Sequence, residues 1–312
     1  MAVSRPDTVL VLRALGLGDL LTAIPSLRGL RRAYQHSHIV LATPQPLAPL
    51  AMMSGAVDEV IPTAGLGALG YQGPPPVVAV NLHGSGPESI RDLMSTGPGE
   101  LLTHRHRDFP DLPGLPWRAG QHEVDRWCAL LQWAGIDCAA GDLSLDSVGV
   151  DRTGTVVIHP GAAYAARRWP ADRFAAVAAR LRRDGHDVVV TGAAAEEPLA
   201  RSVVEMAGLA ETANRAGRLG ILDLVELIAG SRLLVCGDTG VGHLATATGT
   251  PSVLVFGPTP PSRWGPRGSG PHVALWAGDV GDPHGDRPHP GLLLITVDRV
   301  LDATHELLAA AA

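Results

Sequence analysis

The segment CGDTGVGHLATATGTPSVLVFGP, residues 236–258, places the polar cluster DTGVGH between two apolar runs. The run RLLVC, which ends at Cys236, predicts a buried strand, and GHLATATG predicts a short helix that ends at Gly249. The run PSVLVFG predicts a second buried strand. The cluster therefore occupies a strand-to-helix turn at the carboxyl end of a predicted parallel strand. Ligands of open α/β sheets bind at that edge, and a helix N-terminus attracts anions.

The same order of strand, turn and helix recurs in both halves of the chain. TVLVLRALGLGDLLTAIPSLRGLRRAY, residues 8–34, opens with an apolar strand, a glycine-rich turn and an amphipathic helix. TVVIHPGAAYAARRWPADRFAAVAARLRRDGHDVVVTGA, residues 155–193, repeats that order and adds a strand. This alternation predicts two Rossmann-like α/β domains with parallel sheets that face each other across a central cleft. Their predicted bounds are residues 1–145 and 151–295, followed by a helix at 297–312 that is able to pack back on the first domain.

Other segments predict connections and one further helix. The polar stretch GDLSLDSVGVDRTG, residues 141–154, is interpreted as the linker between the two domains. Residues 96–120 and 258–290 have little periodicity, which predicts a long surface excursion and a weakly structured region. HEVDRWCALLQWAGI predicts a helix with Val124, Trp127, Leu130 and Leu131 on one face. Five histidines lack metal-ligand spacing and are interpreted as exposed loop residues: His104, His106, His122, His284 and His289.

Composition limits the class of protein. Of 312 residues, 46% are hydrophobic and 18% are charged, which is typical of a globular chain. No apolar stretch is long enough to cross a bilayer, so we expect a cytoplasmic protein, compatible with peripheral membrane contact. The formal charge of −6 argues against nucleic acid as a partner. The three cysteines form no CxxC motif and are interpreted as buried thiols, and all 25 basic residues other than histidine are arginine.

Candidate chemistry lies in three of the predicted turns. Asp19, in the turn GLGDLL, is either a helix-capping carboxylate or a catalytic one, and the two roles can coexist. In HPGAAYAARRWP, Gly161 permits close backbone approach, and Arg167 and Arg168 provide positive charge near the same sheet edge as Asp238. The turn GLGDLL lacks the third glycine of a GxGxxG fingerprint, and the chain has no GxSxG nucleophile turn and no Asp-x-Asp pair.

These segments and their order resemble glycosyltransferase family 9, the ADP-heptose:heptosyltransferases. The resemblance rests on GLGDLLTAIPSLRGLR, HPGAAYAARRWPADRF, GAAAEE and CGDTGVGHLATATGTPSVLVFGPTPP. It implies a GT-B fold, with the acceptor on the N-terminal domain and the nucleotide-sugar on the C-terminal one. It also implies inverting transfer without a metal ion or cofactor. The sequence leaves the acceptor open between a saccharide and a natural product.

The resemblance also implies roles for individual residues. Asp19 would be the base that deprotonates the acceptor hydroxyl, Glu196 would face the ribose, and Arg167 stands where the family carries a lysine that meets the leaving diphosphate. The donor would be bordered by Gly161, Asp238, Thr239, Gly240, Val241, Gly242 and His243. Ala162 and Ala163 replace hydroxyl residues common in the family.

Two other functions stay open at the sequence level. One is a non-catalytic nucleotide-sugar-binding protein of the same fold, which would bind the donor without transferring or hydrolysing it. The other is a GT-B epimerase of nucleotide-sugars, which would need further acid and base carboxylates in the cleft.

Overall fold

The computed structural model describes residues 7–145, 152, 154–268 and 270–310. The chain divides into two compact units, Met1–Leu143 and Ser144–Ala312. Half of the predicted linker, residues 146–151 and 153, lies outside the described residues.

Five parallel strands form the sheet of the first unit. The strands are β1 (Thr8–Leu12), β2 (His38–Thr43), β3 (Glu59–Pro62), β4 (Val78–Asn81) and β5 (Glu100–Leu102), and the helices are α1 (Leu17–Ala33), α2 (Ala48–Met53), α3 (Pro87–Met94) and α4 (Glu123–Trp133). The strand order is β3-β2-β1-β4-β5. Because β1 and β4 are covered on both faces, their residues form an almost continuous buried apolar run.

The second unit repeats this architecture. Its strands are β6 (Thr155–His159), β7 (Asp187–Val190), β8 (Leu233–Gly237), β9 (Ser252–Val255) and β10 (His272–Leu275), and its helices are α5 (Ala171–Arg183), α6 (Glu197–Met206), α7 (Ile221–Gly230), α8 (Gly240–Thr248), α9 (Pro261–Trp264), α10 (Pro290–Leu293) and α11 (Val297–Ala310). The strand order is β10-β9-β8-β6-β7, and every pair is parallel. The predicted α/β class with two parallel sheets is therefore confirmed.

The helices that carry the motifs begin and end where the sequence predicts. Helix α1 starts at Leu17, directly after Gly16, and α5 starts after the Trp169-Pro170 pair. Helix α8 ends at Gly249, whose φ of 67° lies in the left-handed region that glycine adopts without strain. These helix ends depend on the residue types at the end positions themselves, which explains why the sequence predicts them well.

Two edge strands were not predicted. β5 has three residues and β10 has four, and both lie in regions that the sequence analysis treated as irregular. Such short segments have no clear periodicity, and they become strands because an open edge of β4 or β9 is available for pairing.

The predicted final helix is present in the second unit as α11. Helix α11 packs against α5, β8 and β9. Its apolar side chains Val300, Leu301 and Leu308 belong to the buried core of the second unit. Among the described residues, no helix combines the length and the apolar character that crossing a bilayer requires.

Candidate functional site

The strand order of the second sheet collects the predicted donor residues at one edge. Strands β8, β6 and β7 are neighbours, so the turns that follow them lie side by side. Gly161 and Arg167 follow β6, Glu196 follows β7, and Asp238 follows β8 directly. The structure therefore brings together, within one unit, the residues that the sequence placed in separate motifs.

Asp238 and Arg167 form the charged centre of this edge. Asp238 is only 5% exposed, and this burial raises the pKa of its carboxyl from the usual 3.8 to about 6, although Arg167 acts in the opposite direction. A Cβ atom on Gly237 would lie 3.1 Å from the carbonyl oxygen of Arg167, so this glycine permits close approach of the two segments.

The guanidinium of Arg167 has unused donor capacity. Its Nε atom is buried and has no hydrogen-bond partner among the described residues. A buried donor without a partner is costly, and an anion at this edge would satisfy it. Arg168, by contrast, donates from Nε to the carbonyl oxygen of Ala162 at 2.8 Å, so it stabilises the turn.

The loop at residues 281–289 holds the Arg167 turn in place. The Ala166 N–H donates to the Gly285 carbonyl oxygen at 3.0 Å, and the His289 N–H donates to the Ala166 carbonyl oxygen at 3.2 Å. The Tyr164 ring lies 5.6 Å from the Arg167 guanidinium carbon and 4.7 Å from the His284 ring. Sequence reasoning missed this support because it joins segments more than 100 residues apart.

Helix α8 begins beside these residues. Thr239 is its N-cap but makes no side-chain capping bond, which leaves the helix N-terminus open to an external acceptor. Gly242 donates its N–H to the Thr239 carbonyl oxygen at 3.0 Å, so this amide is already used within the turn. Val241 has a buried side chain, and it therefore offers only its backbone to a ligand, as does Gly240.

A small pocket opens next to this helix. It has about 200 Å³ of empty volume, and its lining includes Asp238, Thr239, His243, Thr246 and Trp264. The rings of His243 and Trp264 are 5.8 Å apart in an edge-to-face arrangement. Thr246 and Trp264 were not singled out in the sequence, although Thr246 lies one helical turn beyond Gly242.

Glu196 lies over Gly161. Its Oε2 atom accepts a 2.8 Å hydrogen bond from the Ala193 N–H, and a Cβ atom on Gly161 would lie 2.3 Å from its carboxyl group. The buried His159 contacts Thr191 Oγ1 through Nδ1 at 3.0 Å and points Nε2 toward Glu196 at 3.9 Å. Burial lowers the pKa of His159 and outweighs the opposite effect of Glu196, so the imidazole is neutral at pH 7.

Asp19, the candidate base, lies at the start of α1 in the first unit. Its Oδ2 accepts a 3.2 Å bond from the Gly16 N–H, so the helix-capping role is real. Its Oδ1 lies 3.4 Å from NH2 of Arg13, and 27% of its side chain is exposed. An oriented carboxylate with an accessible face suits a general base as well as a cap.

A buried polar network beneath Asp19 was missed at the sequence level. Arg13 is fully buried and contacts Glu123, which in turn accepts a 3.1 Å bond from Arg126 Nε. Trp127 Nε1 donates to Glu123 Oε1 at 2.9 Å. The available signal was an arginine directly after an apolar strand, together with the charged pair in HEVDRW on an otherwise apolar helix.

The interpretation of the five loop histidines as exposed is wrong for two of them. His104 is fully buried against the rings of Trp117 and Trp127, and its pKa is lowered to about 4, chiefly by burial. His122 is buried as the N-cap of α4 and accepts a bond from the Val124 N–H. His284 is exposed as expected, whereas His106 and His289 are partly buried. Long-range packing, which no local pattern encodes, causes the difference.

The two remaining expectations concern thiols and metal ligands. Cys128, Cys138 and Cys236 are free and buried, as predicted. Within the described ranges, no group of three or more His, Cys, Asp or Glu side chains is arranged to hold a metal ion.

Comparison with known proteins gives the family. The family model for glycosyltransferase family 9 (heptosyltransferase) matches residues 116–275, just over half of the chain. The chain belongs to this family, and the predicted resemblance is confirmed. The matched range contains the predicted donor residues from Gly161 to His243, whereas Asp19 lies outside it.

Individual relatives agree with this assignment. Lipooligosaccharide heptosyltransferase 2 of Haemophilus influenzae is 32% identical over 162 residues, which are 48% of this chain and 46% of that protein. The chain spans about half the length of the curated relatives it matches.

Two solved structures share the whole fold. A family 9 glycosyltransferase from Veillonella parvula has a TM-score of 0.79 at 21% identity, covering 97% of this chain and 98% of that one. The ADP-heptose lps heptosyltransferase II of E. coli has a TM-score of 0.76 at 23% identity, covering 97% of this chain and 99% of that one. These matches support the predicted GT-B fold.

Proposed function

We propose that the protein transfers a sugar, heptose or a close relative, from an ADP-sugar to a hydroxyl group of a saccharide or natural-product acceptor. Membership of family 9 and similarity to heptosyltransferases support the reaction class. The name of the E. coli structure includes ADP-heptose, which supports the choice of donor. The observation that carries the proposal is the unpartnered Nε of Arg167 beside the uncapped N-terminus of α8.

These two groups meet the chemical needs of a diphosphate leaving group. When the anomeric C–O bond breaks, negative charge develops on the diphosphate, and preorganised donors stabilise it. The Arg167 guanidinium supplies a fixed positive charge, and the open amides at Gly240 and Val241 supply the partial positive charge of a helix start. Because this charge is built into the protein, we propose that transfer requires neither a divalent ion nor a cofactor.

Glu196 is proposed to bind the ribose of the donor. Its carboxylate is held by the Ala193 N–H and lies over Gly161, where nothing larger than hydrogen fits. A carboxylate accepts hydrogen bonds from two neighbouring hydroxyl groups. The neutral His159 behind it limits the movement of that carboxylate.

Asp19 is proposed to accept the proton of the acceptor hydroxyl. The oxygen then attacks the anomeric carbon from the side opposite the diphosphate, so a single displacement inverts the configuration. The proton moves to the Asp19 carboxylate, and the bonding pair leaves with ADP. We place this reaction in the cytoplasm, since three free buried thiols fit a reducing compartment.

Mass spectrometry of products tests the proposal. The purified protein is incubated with a panel of nucleotide-sugars and candidate acceptors, with and without EDTA, and both ADP release and the mass of the glycosylated product are measured. We expect transfer from an ADP-sugar and an unchanged rate in EDTA. A protein that binds ADP-sugars but neither transfers nor hydrolyses them would instead be a binding protein of the same fold.

Replacing the proposed base gives a matched test. Asp19→Asn should lower kcat by roughly 10²- to 10⁴-fold, the usual range for a lost general base, and leave ADP affinity nearly intact. Asn retains an oxygen that can accept the Gly16 bond, so the helix cap is kept. If Asp19→Asn transfers sugar at the wild-type rate, the carboxylate is only a cap.

A further inference from the structure

Arg13 is a fully buried cation in the first unit, and it bonds several groups at once. Its Nε donates to the backbone oxygen of Asp19 at 2.9 Å, and NH1 donates to the Leu82 carbonyl oxygen. Its NH2 contacts Glu123 Oε1 at 3.1 Å, Thr22 Oγ1 at 3.2 Å and Asp19 Oδ1 at 3.4 Å. One nitrogen with two hydrogens therefore serves three acceptors, and the carboxylate of Asp19 is the most distant of them.

Glu123 is the principal counter-ion of Arg13. Burial acts to raise the pKa of Glu123, but Arg13 and Arg126 outweigh this effect and hold the pKa below its usual value. The carboxylate also accepts the bonds from Arg126 Nε and Trp127 Nε1, so it has little freedom to move. A buried guanidinium without such a partner would be strongly destabilising.

We propose that Glu123 and Arg13 are positioning residues for the Asp19 carboxylate. Glu123 neutralises the buried arginine, so that Arg13 orients Asp19 without depending on Asp19 as its only counter-ion. This inference rests on the role proposed above for Asp19. Arg13 and the Gly16 N–H each hold one oxygen of Asp19, and 27% of that side chain faces solvent. Glu123 lies 110 residues from Arg13 in the chain, so α4 supplies a contact that no neighbouring residue of α1 provides here.

Loss of the Glu123 charge has a direct consequence for Asp19. In Glu123→Gln the amide oxygen can still accept a bond from Arg13 or Trp127, but the buried guanidinium loses its nearer carboxylate. Asp19 then becomes the one carboxylate paired with Arg13 among those that the described structure records. Its oxygen moves closer to the guanidinium and becomes a weaker base in a displaced position.

Kinetics separates this role from a purely structural one. We expect Glu123→Gln to lower kcat by about 10- to 100-fold, the effect of a misplacement of about 1 Å, while the donor KM and the affinity for ADP change less than twofold. Glu123→Asp, which retains the charge, should restore part of kcat. Glu88→Gln, at an exposed position in the first turn of α3, is the matched control and should behave like wild type.

A double-mutant cycle tests whether Glu123 acts through Asp19. If it does, Glu123→Gln should have almost no further effect on the residual rate of Asp19→Asn, because the group being positioned is gone. Additive losses, or a wild-type kcat in Glu123→Gln, would overturn the inference. Thermal unfolding of each variant checks that the fold is retained.

A titration that needs no substrate makes the outcome independent of the proposed reaction. Arg13 contacts Asp19, Glu123 contacts Arg13, Arg126 contacts Glu123, and Arg13 also acts on the pKa of His83. Carboxyl ¹³C NMR of selectively labelled protein should give a lower pKa for Asp19 in Glu123→Gln than in wild type. An unchanged pKa contradicts the inference. Absence of transfer by the wild type contradicts only the proposed function, and the NMR comparison still decides whether Glu123 acts on Asp19.

Discussion

At the scale of single residues, Arg167 is proposed to carry the positive charge that meets the diphosphate of the donor. The chain contains no lysine, so the arginine at this position is explained by the composition as much as by a need for the planar, two-pronged geometry of a guanidinium group. We expect Arg167→Lys to keep most of the activity and Arg167→Ala to lose at least about tenfold, since a charge-assisted bond to phosphate contributes about 1.5 to 3 kcal/mol. Transfer rates and ADP affinities of both variants measure this. Equal values for Ala and wild type would leave this guanidinium without a role.

The buried carboxyl of Asp238 should make stability depend on pH. Its folded-state pKa of about 6 lies above the usual 3.8, so its contribution to stability is fully present below pH 4 and is lost as the pH rises through 6. Asp238→Asn should therefore gain about 1 to 3 kcal/mol in stability relative to wild type between pH 4 and pH 8.

Urea unfolding of Asp238→Asn and wild type at both pH values measures this gain. Asp302→Asn, at an exposed position of α11, is the matched control and should show no such trend. A constant difference between Asp238→Asn and wild type at pH 4 and pH 8 would mean that the carboxyl titrates alike in both states.

At the scale of elements, close packing of α8 on β9 depends on Gly242. A Cβ atom at this position would lie 2.6 Å from Leu254 Cδ2, well inside van der Waals contact. We expect Gly242→Ala to destabilise the protein by about 1 to 3 kcal/mol, the usual cost of overpacking a core. Equilibrium denaturation measures this cost, and Gly65→Ala, where the added methyl group meets open space, should change stability by less than about 0.5 kcal/mol. Similar values for the two variants would show that Leu254 simply rotates away.

Helix α8 and the strands around it show which features are predictable from sequence. The turn from β8 into α8 is readable because a buried apolar run, a helix start and a left-handed glycine are local signals. Strand β10, with the sequence HVAL, is not readable from local signals, because it becomes a strand only by pairing with the free edge of β9. The sequence also could not show that the Gly242 N–H is already bonded to Thr239.

At the scale of the whole molecule, each unit has its own buried core. A ligand stabilises the part of the protein that binds it, by about 2.7 kcal/mol at 100 times its Kd. We expect saturating ADP to slow hydrogen exchange in peptides from β6, β8 and α8, with little change in peptides from β1, β2 and β4. Hydrogen-exchange mass spectrometry with and without ADP measures this. Protection confined to the first sheet would contradict the donor assignment.

The amino-acid sequence by itself determined the class of fold, the two sheets and the motif residues at their edges. Alternating buried strands and amphipathic helices are patterns of 2 to 20 neighbouring residues, and local backbone and burial preferences suffice to read them. The sequence likewise supported the family assignment, because DTGVGH and its flanking strands are contiguous.

Only the tertiary structure decided how those residues are supported. Three features join segments that are distant in the chain. They are the contact between Arg13 and Glu123, the hydrogen bond from the Ala166 N–H to the Gly285 carbonyl oxygen, and the burial of His104. Such contacts depend on which surfaces remain free once the sheets have formed, and no local preference encodes them. For the same reason the sequence leaves Asp19 as either a helix cap or a catalytic carboxylate, whereas folding places it against Arg13, which Glu123 also contacts, with 27% of its side chain exposed.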